Sequence, residues 1–182
     1  MPFLFVHIVF AWIIGKCIEK VKKSNINKTS WFFLLAGSIL PDLDYPIQWM
    51  FGSGIHRTLS HSLIFVLLII IFSFLVFKIL SKYNIKIFNL SFNNYLFLAI
   101  ISGVGVSSHI FADMLIGWPG VPLFWPFGPN IFFFGLEYNF ESVLFSFRDF
   151  ASLLKLFRFA LFDMFIGILW FGYLYLKGKI KF

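Results

Sequence analysis

Cysteine is almost absent from this chain of 182 residues, with Cys17 as the single example. One thiol makes neither an internal disulfide nor a thiolate metal cage. Beside Lys16, Cys17 reads as a buried thiol more readily than as a palmitoylation site. Charge is scarce too: 13% of residues are charged, 15 basic and 8 acidic. So few charges do not cover the surface of a water-soluble globule of this size, and a disordered tail would carry many more. A phosphate-cradling glycine loop is missing, since Gly103-Val-Gly105 lacks a third glycine and a preceding strand signal. A Gly-x-Ser-x-Gly nucleophile elbow is missing as well. Met1 to Phe5 has no basic n-region and no small-residue cleavage site follows, so no cleaved signal peptide is expected. No internal repeat is visible.

Apolar residues fill the space that these leave. The chain is 60% hydrophobic, 29 of its residues are Phe, and its mean hydropathy is +0.89. Its length suits a single domain over residues 1–182. Apolar segments at Pro2–Ile14, Trp31–Leu40, Thr58–Phe77, Tyr95–Ala112 and Phe159–Leu176 predict an all-α, polytopic membrane bundle of about five apolar segments. The first two are short and would need support from neighbours. Asn84 to Asn94 reads as a polar connector, and the Gly/Pro-punctuated stretch from Gly117 to Asn139 does not fit one straight helix.

The net charge of +7 would point to nucleic acid in a soluble protein. Here it follows topology instead. If the five segments alternate with the amino terminus outside, Lys16, Lys20, Lys22, Lys23 and Lys28 fall on one side with Lys78, Lys82, Lys86, Lys177, Lys179 and Lys181. Arg57, Arg148, Lys155 and Arg158 are left opposite. The lysine-rich side is then cytoplasmic, facing anionic lipid head groups, and no nucleic-acid partner is expected.

In that frame the polar residues gather at one level. His7 lies early in a segment running inward, and Asp42 and Asp44 end one running outward. His56, Arg57 and His61 begin the next inward segment. His109 and Asp113, one helical turn apart, end the next outward one. Ionisable groups near hydrocarbon cost on the order of 2.5–3.5 kcal/mol each. A divalent cation compensates them, because imidazole nitrogens and carboxylate oxygens are ligands that Zn²⁺ and similar ions prefer. The expected metal ligands are therefore His7, Asp42, Asp44, His56, His61, His109 and Asp113, at the extracytoplasmic ends of the helices.

Leu40-Pro-Asp-Leu-Asp44, His56-Arg-Thr-Leu-Ser-His61-Ser62 and His109-Ile-Phe-Ala-Asp113, with an early histidine and Leu123-Phe-Trp-Pro-Phe127, resemble the YdjM family of predicted inner-membrane metal-dependent hydrolases. The resemblance spans roughly residues 1 to 175. More distantly, that family is similar to zinc-dependent phospholipases C and single-strand zinc nucleases, helical enzymes whose clustered metals hydrolyse phosphate esters. Their pattern maps onto His7, Asp42, His56, His109 and Asp113. It departs in two respects: no histidine follows His109, and no processed amino terminus is signalled. One or two ions are therefore expected instead of three, with Glu137, Glu141 or Asp163 as substitute ligands. Helix-terminal capping explains Asp163 equally well, and a solvated helix face explains Glu137 and Glu141 better.

The resemblance implies a multi-pass inner-membrane hydrolase using one or two divalent ions, Zn²⁺ first and Mn²⁺ next. Asp42 or Asp44 would bridge ions or accept the proton of the attacking water, and Arg57 would hold a substrate phosphate. A site at head-group depth suits an amphiphilic phosphoester such as a phospholipid or isoprenoid phosphate. The rival readings are non-enzymatic: a metal-stabilised membrane scaffold, a regulator, or a divalent-ion transporter. The sequence leaves the oligomeric state open.

Overall fold

A computed structural model describes residues 4–51, 58–83, 92–116, 120–131, 133 and 150–179. Among these residues the regular secondary structure is all helical, apart from one isolated bridge between Val121 and Ile131. The helices are α1 (Leu4–Lys22), α2 (Lys28–Gly37), α3 (Asp44–Phe51), α4 (Leu63–Lys82), α5 (Phe92–Ile116) and α6 (Phe150–Leu176). A 3₁₀ turn at Leu40–Leu43 precedes α3, and another at Leu59–His61 precedes α4. Each of the five apolar segments expected from sequence becomes a helix, while the short helix α3 was not anticipated.

Local chemistry sets the helix ends. Asn27 caps α2 by accepting from the Ser30 amide at 2.7 Å, and Ser62 caps α4 by accepting from the Phe65 amide at 3.3 Å. The first segment runs on past Ile14 to Lys22, because Glu19 ties the end of α1 to the next turn. Its carboxylate accepts from Lys16 Nζ at 2.6 Å, the Ile26 amide at 3.0 Å and Trp31 Nε1 at 3.2 Å. The second segment ends earlier, at Gly37, where Pro41 enters the first turn of the 3₁₀ segment. Cys17 departs from the expected buried thiol and is exposed.

Helix α5 is the centre, packing against α1, α2 and α4. Ala11, Leu34 and Ile101 join α1, α2 and α5, while Val66 of α4 meets Val106, Ile110 and Met114 of α5. A close approach makes the α2–α5 contact. A methyl group on Gly105 would lie 2.3 Å from the Leu34 carbonyl oxygen, and one on Gly37 would lie 2.5 Å from that of Ser102. Only residues without Cβ let the two backbones touch, as small-residue faces do in membrane bundles. The α5 serine hydroxyls are absorbed within the helix: Ser102 donates to the Leu98 carbonyl and Ser107 to that of Gly103.

Helix α6 runs parallel to α1, with Trp170 and Tyr173 against Trp12. Nearer the other end, the Phe5 ring fits over Gly167. Asp163 is buried in the middle of α6 and accepts from the amides of Phe5 at 3.2 Å and Val6 at 2.9 Å. It does cap a helix terminus, but that of α1 and not its own.

Among the described residues, two helices are long and apolar enough to cross a membrane, Leu63–Lys82 and Asn94–Leu115. Only 11% of the first is buried in the protein, against 67% of the second. The outer face of α4 presents Leu67, Leu68, Ile71 and Phe72, and α6 presents Phe162, Phe165, Ile168 and Leu169. An exposed apolar belt of this extent calls for an apolar solvent.

Candidate metal centre

Alternation of helix direction brings four chain ends together. His7 lies in the second turn of α1, Asp42 in the 3₁₀ turn after α2, and His61 just before α4. His109 and Asp113 occupy the last turns of α5. The segment 120–131 closes this end: Leu123 accepts from the Leu63 amide at 3.0 Å, and Phe133 donates its amide to the Met114 carbonyl at 2.9 Å. Leu123 of the Leu123–Phe127 motif therefore secures the start of α4, and Phe133, beyond the motif, holds the end of α5. Between the described ends of this stretch the chain is not one helix, as its glycines and prolines predicted.

Five predicted ligands meet. The imidazoles of His61 and His109 face each other with Nε2 atoms 3.2 Å apart, and the His7 ring stacks on His109 with centroids 3.7 Å apart. Asp42 Oδ1 lies 3.7 Å from His61 Nε2 and 3.5 Å from His109 Nε2. Asp113 Oδ2 lies 3.3 and 3.6 Å from the same two atoms. The other oxygens of both carboxylates turn to His7, since Asp42 Oδ2 and Asp113 Oδ1 are each 3.8 Å from its Nε2. Each carboxylate thus faces both His7 and the His61–His109 pair.

Tautomers follow from the outer partners. His109 Nδ1 is 2.8 Å from the Ser38 carbonyl, which can only accept. Nδ1 therefore carries the hydrogen, and the Nε2 lone pair points inward. Ser60 gives its hydroxyl hydrogen to Asp44, so its oxygen faces His61 Nδ1, at 2.9 Å, as an acceptor. His61 Nε2 points inward as well. Two lone pairs facing each other at 3.2 Å call for a cation or a proton between them. In the metal-free protein a proton serves: burial opposes it, but Asp113 and Asp42 outweigh burial and push the His61 pKa up to about 9. Asp42 is partly shielded from water, which alone would raise its pKa. His61, His109 and His7 outweigh this and hold it below the usual carboxylate range.

The donor set fits a divalent ion. Metal–ligand bonds of about 2.0–2.1 Å in a tetrahedron place ligand atoms about 3.3 Å apart. The observed separations of 3.2–3.7 Å around His61 and His109 are close to that. Two overlapping groups, His7–Asp42–His109 and His61–His109–Asp113, are compact enough to hold an ion. Of the five side chains Asp42 alone is open, at 30% exposure, while the rest are buried.

A family model described as YdjM inner membrane protein matches residues 1–180. The chain belongs to that family. No curated protein and no solved structure matches it. Membership makes this an inner membrane protein, in agreement with its apolar belt, and accounts for the shared motifs without assigning them a reaction.

The remaining expectations fall in two groups. Asp44 stands behind His61, with Oδ2 3.7 Å from Nδ1, and faces away from the Nε2 atoms where the other carboxylates gather. Asp163 is taken up by the α1 amides. His56, Arg57, Glu137 and Glu141 lie outside the described residues. Sequence reasoning missed the Ser38 carbonyl and the Ser60 hydroxyl as groups that orient the histidines. A backbone carbonyl has no signature in sequence. Ser60 did have one, its place next to His61 in a recognisable motif.

Proposed function

We propose that this YdjM-family chain is a multi-pass, metal-dependent hydrolase that cleaves a phosphoester of an amphiphilic substrate at the extracytoplasmic face of the inner membrane. The observation that carries the reading is the convergence of His7, His61, His109, Asp42 and Asp113, with the Nε2 atoms of His61 and His109 turned toward shared carboxylates.

Zn²⁺, or Mn²⁺ in its place, would supply a Lewis acid and lower the pKa of a water molecule toward neutrality. His61, His109, Asp42 and Asp113 would hold an ion, and His7 would help to hold a second. Asp42 is the residue that meets incoming substrate, because it alone of the five is open. Arg57, four residues before His61 in sequence, has the charge and fork geometry to hold a phosphate.

The surroundings of Asp42 support an amphiphilic substrate. Leu43 at the end of the 3₁₀ turn and Ile47, Met50 and Phe51 of α3 follow it at helical spacing, and all four are exposed. A phospholipid or isoprenoid phosphate would put its phosphate at Asp42 and its chain along this apolar stripe. The orientation rests on the lysine-rich ends of α1, α4 and α6, which the positive-inside bias makes cytoplasmic.

The test is phosphate or phospho-head-group release by the purified protein in lipid nanodiscs containing phosphatidylglycerol or undecaprenyl phosphates, with Zn²⁺ or Mn²⁺. Release that needs metal and disappears in His109→Ala is the expected result. Metal binding without release from any such lipid would favour a metal-stabilised scaffold or regulator, a reading that the burial of four of the five ligands also suits.

A further inference from the structure

We propose that Asp44 acts on the metal centre through Ser60, as a positioning residue for His61, and is not itself a ligand. The inference rests on the metal reading above and goes beyond it by separating two acids that the Pro-Asp-Leu-Asp motif makes look equivalent.

Their positions differ. Asp42 turns both oxygens to the Nε2 atoms of three histidines, at 3.5–3.8 Å. Asp44 ends the 3₁₀ turn and starts α3, and its Oδ2 approaches the opposite nitrogen of one histidine, His61 Nδ1, at 3.7 Å. That distance is too long for a hydrogen bond, and the Ser60 hydroxyl fills the gap. A serine has one hydrogen. Given to the Asp44 carboxylate, it leaves the oxygen to accept from His61 Nδ1, at 2.9 Å. The order carboxylate, hydroxyl, imidazole fixes the ring's tautomer and its rotation. It also makes Nε2 a better donor to a cation.

The same logic operates on the facing ring, where the Ser38 carbonyl takes the His109 Nδ1 hydrogen at 2.8 Å. Two rings meeting Nε2 to Nε2, each with an acceptor behind it, form a matched pair. One acceptor is a neutral carbonyl, and the other is a carboxylate acting through a hydroxyl. His61 is buried and Asp44 is 8% exposed, so both ends of this link lie away from bulk water, with Ser60 partly exposed between them.

The test is competition of Zn²⁺ between a chromophoric chelator and the full chain in detergent, for the unaltered protein, Asp44→Asn, Ser60→Ala, Ser60→Thr and the Asp44→Asn/Ser60→Ala double variant. Loss of the charge behind Ser60 in Asp44→Asn, and of the hydroxyl itself in Ser60→Ala, is expected to weaken Zn²⁺ binding about 10–100-fold. The double variant should be no worse than the weaker single variant, and Ser60→Thr, which keeps the hydroxyl, should bind normally. Co²⁺-loaded Asp44→Asn should keep the visible band intensity of the unaltered protein, because no ligand is lost. Losses that multiply in the double variant, normal binding by Ser60→Ala, or a Co²⁺ spectrum of changed coordination number in Asp44→Asn would each overturn the proposal. If Ser60→Ala fails to fold, the near-isosteric Asp44→Asn spectrum decides alone. Failure of the unaltered chain to bind Zn²⁺ overturns the metal reading too, whereas tight binding that Ser60→Ala leaves unchanged removes only this link.

Discussion

His109 donates its Nδ1 hydrogen to the carbonyl of Ser38 at 2.8 Å, across 71 positions of sequence. The bond exists because Gly37 and Gly105, each next to or one turn from a partner, let the backbones of α2 and α5 touch. A close-packing contact in the bundle thereby decides which nitrogen of a buried histidine is free to bind a cation.

Gly105→Ala tests that dependence. Its methyl group would fall 2.3 Å from the Leu34 carbonyl oxygen, and backbone on both sides leaves nothing flexible to give way. Overpacking of this kind costs about 1–3 kcal/mol. The expected outcome is a lower thermal midpoint together with weaker Zn²⁺ binding, measured by melting with and without metal. A stable Gly105→Ala protein with unchanged affinity would separate the helix contact from the site.

Metal binding should release a proton. The metal-free His61 holds its charge up to about pH 9, so at pH 7.5 an ion must displace that proton to reach Nε2. Calorimetric titration with Zn²⁺ in two buffers of different ionisation enthalpy should report close to one proton released per ion at this position. The sign of the linked stability follows as well. A raised pKa contributes fully below the ordinary value of about 6.5 and is lost as the pH rises through about 9. The metal-free protein should therefore lose stability over that window, and less of it once His61→Gln removes the charge.

Removing the Asp163 carboxylate should disturb His7. In Asp163→Leu the amides of Phe5 and Val6 lose their acceptor in an apolar setting, at a cost of about 1–3 kcal/mol. Because His7 is the next residue, the position it would share with Asp42 and Asp113 should lose occupancy before the one at His61 and His109. Zn²⁺ content per chain in this variant should approach that of His7→Ala. A full metal complement would restrict Asp163 to fastening α6.

The single cysteine offers a test of orientation. Cys17 is exposed on α1 beside Lys16, at the lysine-rich end away from His7. A membrane-impermeant maleimide should label it in inverted inner-membrane vesicles and leave it unlabelled in intact spheroplasts. The reverse pattern would place the metal site on the cytoplasmic side.

The fold was legible where a pattern is local. Runs such as Leu63 to Phe77 exclude charge, so the apolar segments that become helices can be read without coordinates. The five converging site residues were legible for a related reason. In a chain this poor in ionisable groups, each histidine and acid inside an apolar run has to be compensated. Helix limits were less legible: α1 continues to Lys22 because Glu19 reaches Ile26 and Trp31 on the next element, a contact that no local pattern encodes.

Sequence alone determined that this chain is apolar, helical and equipped with imidazoles and carboxylates at matching ends of its segments, because hydropathy and spacing are properties of neighbours along the chain. Tertiary structure decided how those groups differ. It set Asp42 facing three histidines and Asp44 behind one of them, and it gave Asp163 to the amides of another helix. Such distinctions depend on direction at the scale of one hydrogen bond, and direction is fixed only when separate helices pack.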